Sequence, residues 1–194
     1  MSTDFQPAYV PTVRFDNTNG LSGTHFRFNV EALPDLSFFV QSVAVPTLTI
    51  ASVNRVNPFI DIREVGDHIA VGGIEVHYLV DSTFKTYSSL YWWIKGYGFP
   101  KSYDEVRDFR AARTARLAIP SPKIHDLEKT NATLQILQPD TEQIIVELQF
   151  LDVFPTTLGG LEFATTSPDA DAALLKTMVT FSCTTFDVVF PQTP

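Results

Sequence analysis

Residues 74–80, IEVHYLV, and the aromatic run that follows Asp81-Ser82-Thr83 decide the fold class. In the first seven residues Ile74, Val76, Tyr78 and Val80 alternate with Glu75 and His77. A repeat of two places the apolar set on one face of a strand and the polar set on the other. Past Asp81 the period changes. Phe84, Tyr87, Leu90, Tyr91 and Ile94 recur at steps of three and four behind the capping oxygens of Asp81, Ser82 and Thr83, which predicts an amphipathic helix to Lys95. Gly96 and Gly98, with Pro100 beyond, supply its stop signals. Trp92 and Trp93 are adjacent and cannot both face one core, so at least one is expected to meet a partner or a loop.

Strand signals extend outward on both sides of this unit. Upstream, His25–Val30 alternates Phe26, Phe28 and Val30 with His25, Arg27 and Asn29. Two segments rich in β-branched residues follow, Ser37–Val45 and Thr47–Val53, divided by Pro46. Between residues 54 and 73 no clear period survives, and Pro58 and three glycines interrupt the run. An irregular stretch of that length inside a compact domain is usually a binding loop or arm. Downstream, Asn131–Leu137 and Gln143–Val153 flank a Pro139 turn and read as a hairpin. The last strand, Met178–Phe190, slips phase at Thr184-Thr185, the mark of a β-bulge. A weaker helix covers Tyr103–Arg116, with acids early and arginines late as a helix dipole favours. The expected fold is mainly β, a sandwich or barrel with one packed helix and a second short helix in an insertion.

The chain has 194 residues, of which 44% are hydrophobic and 19% charged, which fits one folded domain and argues against disorder. The single cysteine, Cys183, leaves no internal disulfide framework and no thiolate zinc site. No apolar run approaches the roughly 20 residues that span a bilayer, and the first residues lack a basic-then-apolar leader, so assembly in a cytoplasm without a membrane partner is expected. The formal charge of −8 is uneven. Residues 101–123 carry 6 basic against 3 acidic side chains, whereas residues 124–194 carry 2 against 10. That balance excludes a broad DNA-gripping surface. It also suits a basic stripe, Arg107, Arg110, Arg113 and Arg116 with Lys101 and Lys123, that meets an acidic surface on a neighbouring copy.

No catalytic constellation assembles from these residues. HExxH, GxSxG and Walker-type loops are missing, and Gly72-Gly73 precedes a strand instead of opening a helix. His68 follows Asp67 and His125 precedes Asp126, pairs that arise readily by chance in an acidic chain. Cys183 falls on the apolar side of its strand, where a thiol is inert. The expectation is a non-enzyme with no cofactor and no metal.

The order of motifs resembles the tail tube proteins of contractile-tailed bacteriophages. The matching pieces run from about residue 25 to residue 190. They are Phe26-Arg27-Phe28-Asn29-Val30, Leu33-Pro34, Val45-Pro46, the 54–73 arm with Gly66-Asp67, Ile74–Val80, the helix from Asp81 to Lys95, Val146–Pro155 with Phe154-Pro155-Thr156, and Thr185-Phe186-Asp187-Val188. Two parts depart from a plain tube subunit, an N-terminal extension (1–24) and an enlarged segment after the helix (96–129), and both are similar to tube-initiating baseplate proteins; residues 191–194 form a short tail. The resemblance implies a hexameric ring, in a virion tail tube or its baseplate-proximal part, with tube, baseplate or sheath proteins as neighbours. It also implies an acidic channel through which DNA passes without specific binding. Glu75, His77, Glu147, Gln149, Thr180, Ser182 and Thr184 are the lumen-facing candidates. Arg55, Asn57, Arg63, Glu64 and Asp67 are the inter-ring candidates, and Trp92, Trp93, Arg107, Arg110, Arg113 and Arg116 the subunit-contact candidates. Competing readings are the tube protein of a type VI secretion system, a small-ligand β-barrel with Trp92 and Trp93 in its pocket, and an enzyme using His68 or His125.

Overall fold

A computed structural model describes residues 20–56, 59–98, 101–117, 129–163 and 174–191. The first 19 residues of the N-terminal extension, Asn57, the 118–128 segment with Lys123 and His125, and the last three residues lie outside the described residues. Among the described residues nine strands and two α-helices follow in chain order: β1 (Phe26–Val30), β2 (Val40–Ala44), β3 (Leu48–Arg55), β4 (Ile62–Val71), β5 (Ile74–Leu79), α1 (Lys85–Gly98), α2 (Tyr103–Leu117), β6 (Thr130–Leu137), β7 (Ile144–Leu158), β8 (Lys176–Ser182) and β9 (Thr185–Val189). The fold is mainly antiparallel β, as the alternating segments predict.

The main sheet runs β1-β6-β7-β8-β5-β2, with β9 also on β7. Its organising element is the long β7. The first part of β7 pairs with β6 and β9, the last part with β8. Between them Asp152 takes a φ of 58°, a left-handed conformation that aspartate tolerates better than most residues. The sheet therefore divides into a first wall (β1, β6, early β7, β9) and a second wall (β2, β5, β8, late β7). Both enclose one core: Phe28, Val30, Leu134, Leu148 and Phe150 from the first wall meet Ile74, Val76, Tyr78, Val179 and Phe181 from the second. The expected bulge at Thr184-Thr185 is a larger event. Here the chain leaves the second wall and enters the first, with the Thr184 amide donating to the Leu151 carbonyl at 3.1 Å.

Tyr78 is fully buried among these apolar side chains, and among the described residues its hydroxyl has no hydrogen-bond partner. Burial, aided by Tyr87 and Asp81, pushes its pKa upward, so it stays a neutral phenol. An unsatisfied buried hydroxyl costs free energy that the ring alone does not. Tyr78→Phe is expected to stabilise the fold by about 1 kcal/mol, read as an upward shift in thermal midpoint; a lowered midpoint would show that the hydroxyl is bonded in solution.

Helix α1 forms where the sequence predicts, but turned about its axis. Its buried positions are Thr86, Leu90, Trp93 and Gly96, whereas Phe84 and Tyr91 are exposed. Trp93, a subunit-contact candidate, is thereby corrected to a core residue: 3% exposed, its ring centroid 6.4 Å from that of Phe181, its indole N–H donating to the Tyr97 hydroxyl at 2.7 Å. Gly96 does not stop the helix either. A Cβ there would come within 2.4 Å of Phe109 Cγ, so the glycine is where α2 lies down on α1.

The start of α1 is held by Asp81. Its carboxylate accepts from the amides of Lys85 at 3.1 Å and Thr86 at 3.0 Å, and from the Thr83 hydroxyl. Burial opposes ionisation of Asp81, but these hydrogen bonds outweigh it and hold the carboxyl well below the ordinary carboxylate range. A depressed native pKa contributes stability that is complete above the unfolded value near 4 and is lost as pH falls through the native one. Asp81→Ala is expected to cost about 1 kcal/mol at neutral pH. It should also flatten the acid limb of a stability-against-pH curve, as measured by denaturant unfolding from neutral pH downward.

Two other expectations change. Residues 34–38 form a 3-10 turn begun by Pro34, with the Ser37 hydroxyl donating to its carbonyl at 2.8 Å, so the strand expected from Ser37 is confined to β2. The 54–73 segment is not irregular. Most of it is β4, paired with β3 in an antiparallel ribbon separate from the main sheet. The period is hidden because Gly66, Asp67 and His68 face Ala51 across a register shift. Gly66 is required there, since a Cβ would lie 2.5 Å from the Ala51 carbonyl oxygen.

Candidate assembly surfaces

The ribbon has two unlike faces. Leu48, Ile50, Val65, Ile69 and Val71 share one, together with Ser52, Asn54 and Arg63. The insertion at 66–68 adds two residues, which preserves the alternation, so the apolar side stays continuous past the bulge. Ile50 is 52% and Val65 80% exposed, and Val56, Phe59 and Ile60 near the tip are also exposed. The opposite face carries Val53, Arg55, Ile62 and Glu64, with Arg55 and Glu64 ion-paired at 3.5 Å between exposed side chains. Asp67 sits in the bulge beside His68 at 3.2 Å, both solvent-exposed. Of the inter-ring candidates, Arg55, Arg63, Glu64 and Asp67 therefore lie on one projecting element, and Asn57 is outside the described residues. The charges drew attention in the sequence, whereas the larger unsatisfied surface is the apolar row beside them. A two-stranded ribbon alone is marginal in water, and a continuous apolar face of this kind marks a contact surface.

The lumen candidates fall on two different walls. On the outer face of the second wall, cross-strand neighbours align Ala44, Glu75, Thr180 and Thr157 in one row, and Ser42, His77 and Met178 in the next; Ser182 continues β8 in phase. The charged groups along this face are Glu75 and, at its end, Lys176. On the outer face of the first wall, Glu147 accepts from Gln135 at 3.0 Å and from Gln149 at 2.7 Å, and Asp187 pairs with Gln149 across β9. Exposed Ile145, Leu151 and Val189 interrupt that polarity. Thr184 belongs to neither row; at the corner its hydroxyl donates to Asp152 at 3.2 Å. Because both inner faces close on one core, the two outer faces point away from each other, and a single channel can be lined by only one.

Helix α2 packs on α1 through buried Val106 and through Phe109, and the pair is latched by Lys95 and Glu105 at 2.7 Å. The hydrogen bond from Lys95 draws the Glu105 pKa down, and the same bond raises that of Lys95. Lys95 also sits 4.6 Å from the Trp92 ring centroid. Trp92, 58% exposed, lines a groove of about 290 Å³ with Lys95, Glu105 and Phe109. Arg107 is paired with Asp104 at 3.1 Å and lies 3.8 Å from Asp108. Arg110 is half-buried, and Arg113 and Arg116 belong to the same helix. The basic stripe is therefore partly neutralised by its own acids.

Among the described residues no group of three or more histidine, cysteine or acidic side chains is placed to hold a metal ion. Among the described residues no helix is long and apolar enough to cross a membrane. Cys183 is buried, and burial pushes its thiol pKa up.

No family model matches the chain, and no curated protein matches it in sequence. Solved structures do match its shape. A chain of the PVC sheath–tube complex, an extracellular contractile injection system in its extended state, superposes with a TM-score of 0.56 at 13% identity, over 94% of this chain and 100% of that one. A chain of the anti-feeding prophage cap, described as tube-terminating, gives 0.55 at 12% identity over 93% and 100%. A chain of the PVC sheath/tube terminator gives 0.53 at 12% over 88% and 97%. The fold is thus that of contractile injection system tube assemblies, which agrees with the motif order read in the sequence.

Proposed function

We propose that this chain is a structural subunit of a contractile tail or injection tube, closing with further copies into a hexameric ring through which DNA or another cargo passes. The observation that carries this reading is the unpaired hydrogen-bonding surface. Among the described residues the main sheet ends on β1 and β2, β9 has β7 as its strand partner, and the ribbon pairs only within itself. Free edges are an aggregation hazard in a solitary chain and are removed when strands pair around a closed ring.

The second wall is the better channel lining. Among the described residues its outer face presents Ser42, Glu75, His77, Thr180 and Ser182 with no arginine and with Lys176 at its far end, so phosphates passing by find little to hold them. The acidity expected of the channel rests on Glu75, repeated by each copy around the ring. Glu147 and Gln149 then face outward with the first wall. The ribbon is the inter-ring contact, and Trp92 with the exposed side of α2 meets a neighbouring subunit, a baseplate protein or a sheath layer. In this reading the chain acts by shape and charge, without catalysis, in an assembled particle.

Negative-stain microscopy of the purified full chain tests the proposal. Annular particles with a stained centre are expected. A Cys183→Ser, His77→Cys variant should react in the ring fraction with a small maleimide and be shielded from a polymer-linked one. A chain that stays near 21.7 kDa at every concentration and salt, with position 77 open to both reagents, would overturn it.

A further inference from the structure

The first wall leaves part of its inner face uncovered. Its row beside the corner, Val30, Ala132 and Phe150, is fully buried, but the apolar pattern continues past it. Val188 is 49% exposed and Phe190, next in phase on the same strand, 65% exposed. Across the wall Val146, Ile136 and Phe26 are only half-buried. The turn from β6 to β7 lies at this same open end and carries exposed Asp140 and Glu142.

The ribbon has the matching surface. On its apolar side Ile50 pairs with Ile69, Ser52 with Val65 one step nearer the tip, and Asn54 with Arg63 beyond that. Arg63 thus stands about 14 Å past the isoleucine pair, four residues along β3. The wall repeats that spacing. Val188 faces Leu148, and Ile144, where the acidic turn ends, is four residues before Leu148. Among the described residues Arg63, Asp140 and Glu142 have no ion-pair partner.

Within one subunit the two surfaces do not meet. The ribbon leaves the second wall beside Ala44 and Ile74, at the end where β8 approaches the corner. The first wall opens at the opposite end of β9, and both apolar surfaces stay exposed. Two unlike patches on one chain make a head-to-tail contact, which propagates from copy to copy instead of stopping at a pair.

Resting on the tube-subunit reading above, we propose that the ribbon of one copy seats on the open end of the first wall of a second copy. Ile69 lies on Val188, Val65 on Phe190, and Arg63 reaches Asp140 and Glu142. The inter-ring contact then has a defined receptor as well as a projecting arm.

Disulfide formation between two differently substituted full chains tests this. In a Cys183→Ser background, chains carrying Ile69→Cys alone are mixed with chains carrying Val188→Cys alone. A linked dimer of one chain of each kind is expected on a non-reducing gel. It should form at least several-fold faster than with Val189→Cys, on the opposite face of β9. Equal rates at 188 and 189, or Ile69→Cys chains linked mainly to each other, would overturn the seat. So would a disulfide within one chain when both substitutions are combined. A second readout needs no cysteine. Arg63→Glu should weaken association at low salt on the order of tenfold, and adding Asp140→Arg with Glu142→Arg should recover most of the loss. A parent chain that sediments as a monomer throughout would overturn the tube-subunit reading itself. Chains that assemble but show neither the 69–188 link nor the charge recovery would overturn only this seat.

Discussion

Truncating Trp93 to alanine is expected to destabilise the subunit by about 3–5 kcal/mol, whereas the same change at Trp92 should cost less than about 1 kcal/mol. The two are adjacent and chemically identical, so the difference isolates position. Trp93 fills the joint between α1 and the second wall, against Phe181, and satisfies its indole N–H on Tyr97. Removing the ring leaves a cavity among Leu90, Phe181 and the wall, and it takes away the indole N–H that donates to the Tyr97 hydroxyl. Exposed Trp92 carries the Lys95 ammonium over its ring and loses a cation–π contact, worth about 0.5–1 kcal/mol at an exposed ring. Denaturant unfolding of the two variants measures the difference directly. Equal losses would mean that α1 is rotated from the orientation described. If Trp92 serves a neighbour, its variant should fold normally and weaken assembly.

The same helix shows what a sequence discloses and what it withholds. Its existence and its capped start at Asp81 were legible because capping and a repeat of three to four are local signals. Its buried face was not. The stripe through Phe84, Tyr87 and Tyr91 is as apolar as the one actually buried, which uses Thr86 and Gly96. Small residues mark a close approach to α2, and hydropathy gives them no weight. The strands were read well wherever one face is wet, as in β1, β5 and the β6–β7 hairpin, because alternation fixes both period and facing. They were read badly where a bulge intervenes. Gly66-Asp67-His68 made a ten-residue strand look irregular, and the corner at Cys183-Thr184 looked like a bulge because a change of wall leaves only a local phase slip. The candidate channel residues divide for a related reason. Thr184 apart, which sits at the corner between β8 and β9, they lie on outer strand faces, but whether two strands belong to one wall depends on long-range pairing around β7, which no local pattern encodes.

Introducing Ile50→Asp together with Ile69→Asp is expected to abolish assembly while leaving the subunit folded. The two isoleucines are cross-strand partners at the middle of the ribbon's apolar face. Burying each in a contact is worth about 1.5–3 kcal/mol, so losing both weakens every ribbon contact by about 3–6 kcal/mol, and a carboxylate in the apolar seat adds a desolvation cost. Association should fall by at least about a hundredfold, and a ring or stack repeats the loss at each copy. The subunit's own stability should hold, because β3 and β4 pair with each other and reach the core only through half-buried Val71 at the end of β4. Sedimentation velocity reads the first effect and thermal unfolding the second. The opposite face supplies the control: Arg55→Ala removes an exposed ion pair, worth at most about 1 kcal/mol, and should assemble nearly as the parent does. Assembly that survives the double change would show that copies meet elsewhere. A midpoint lowered by many degrees would show that the ribbon packs on its own subunit, so that its apolar face is core and not contact.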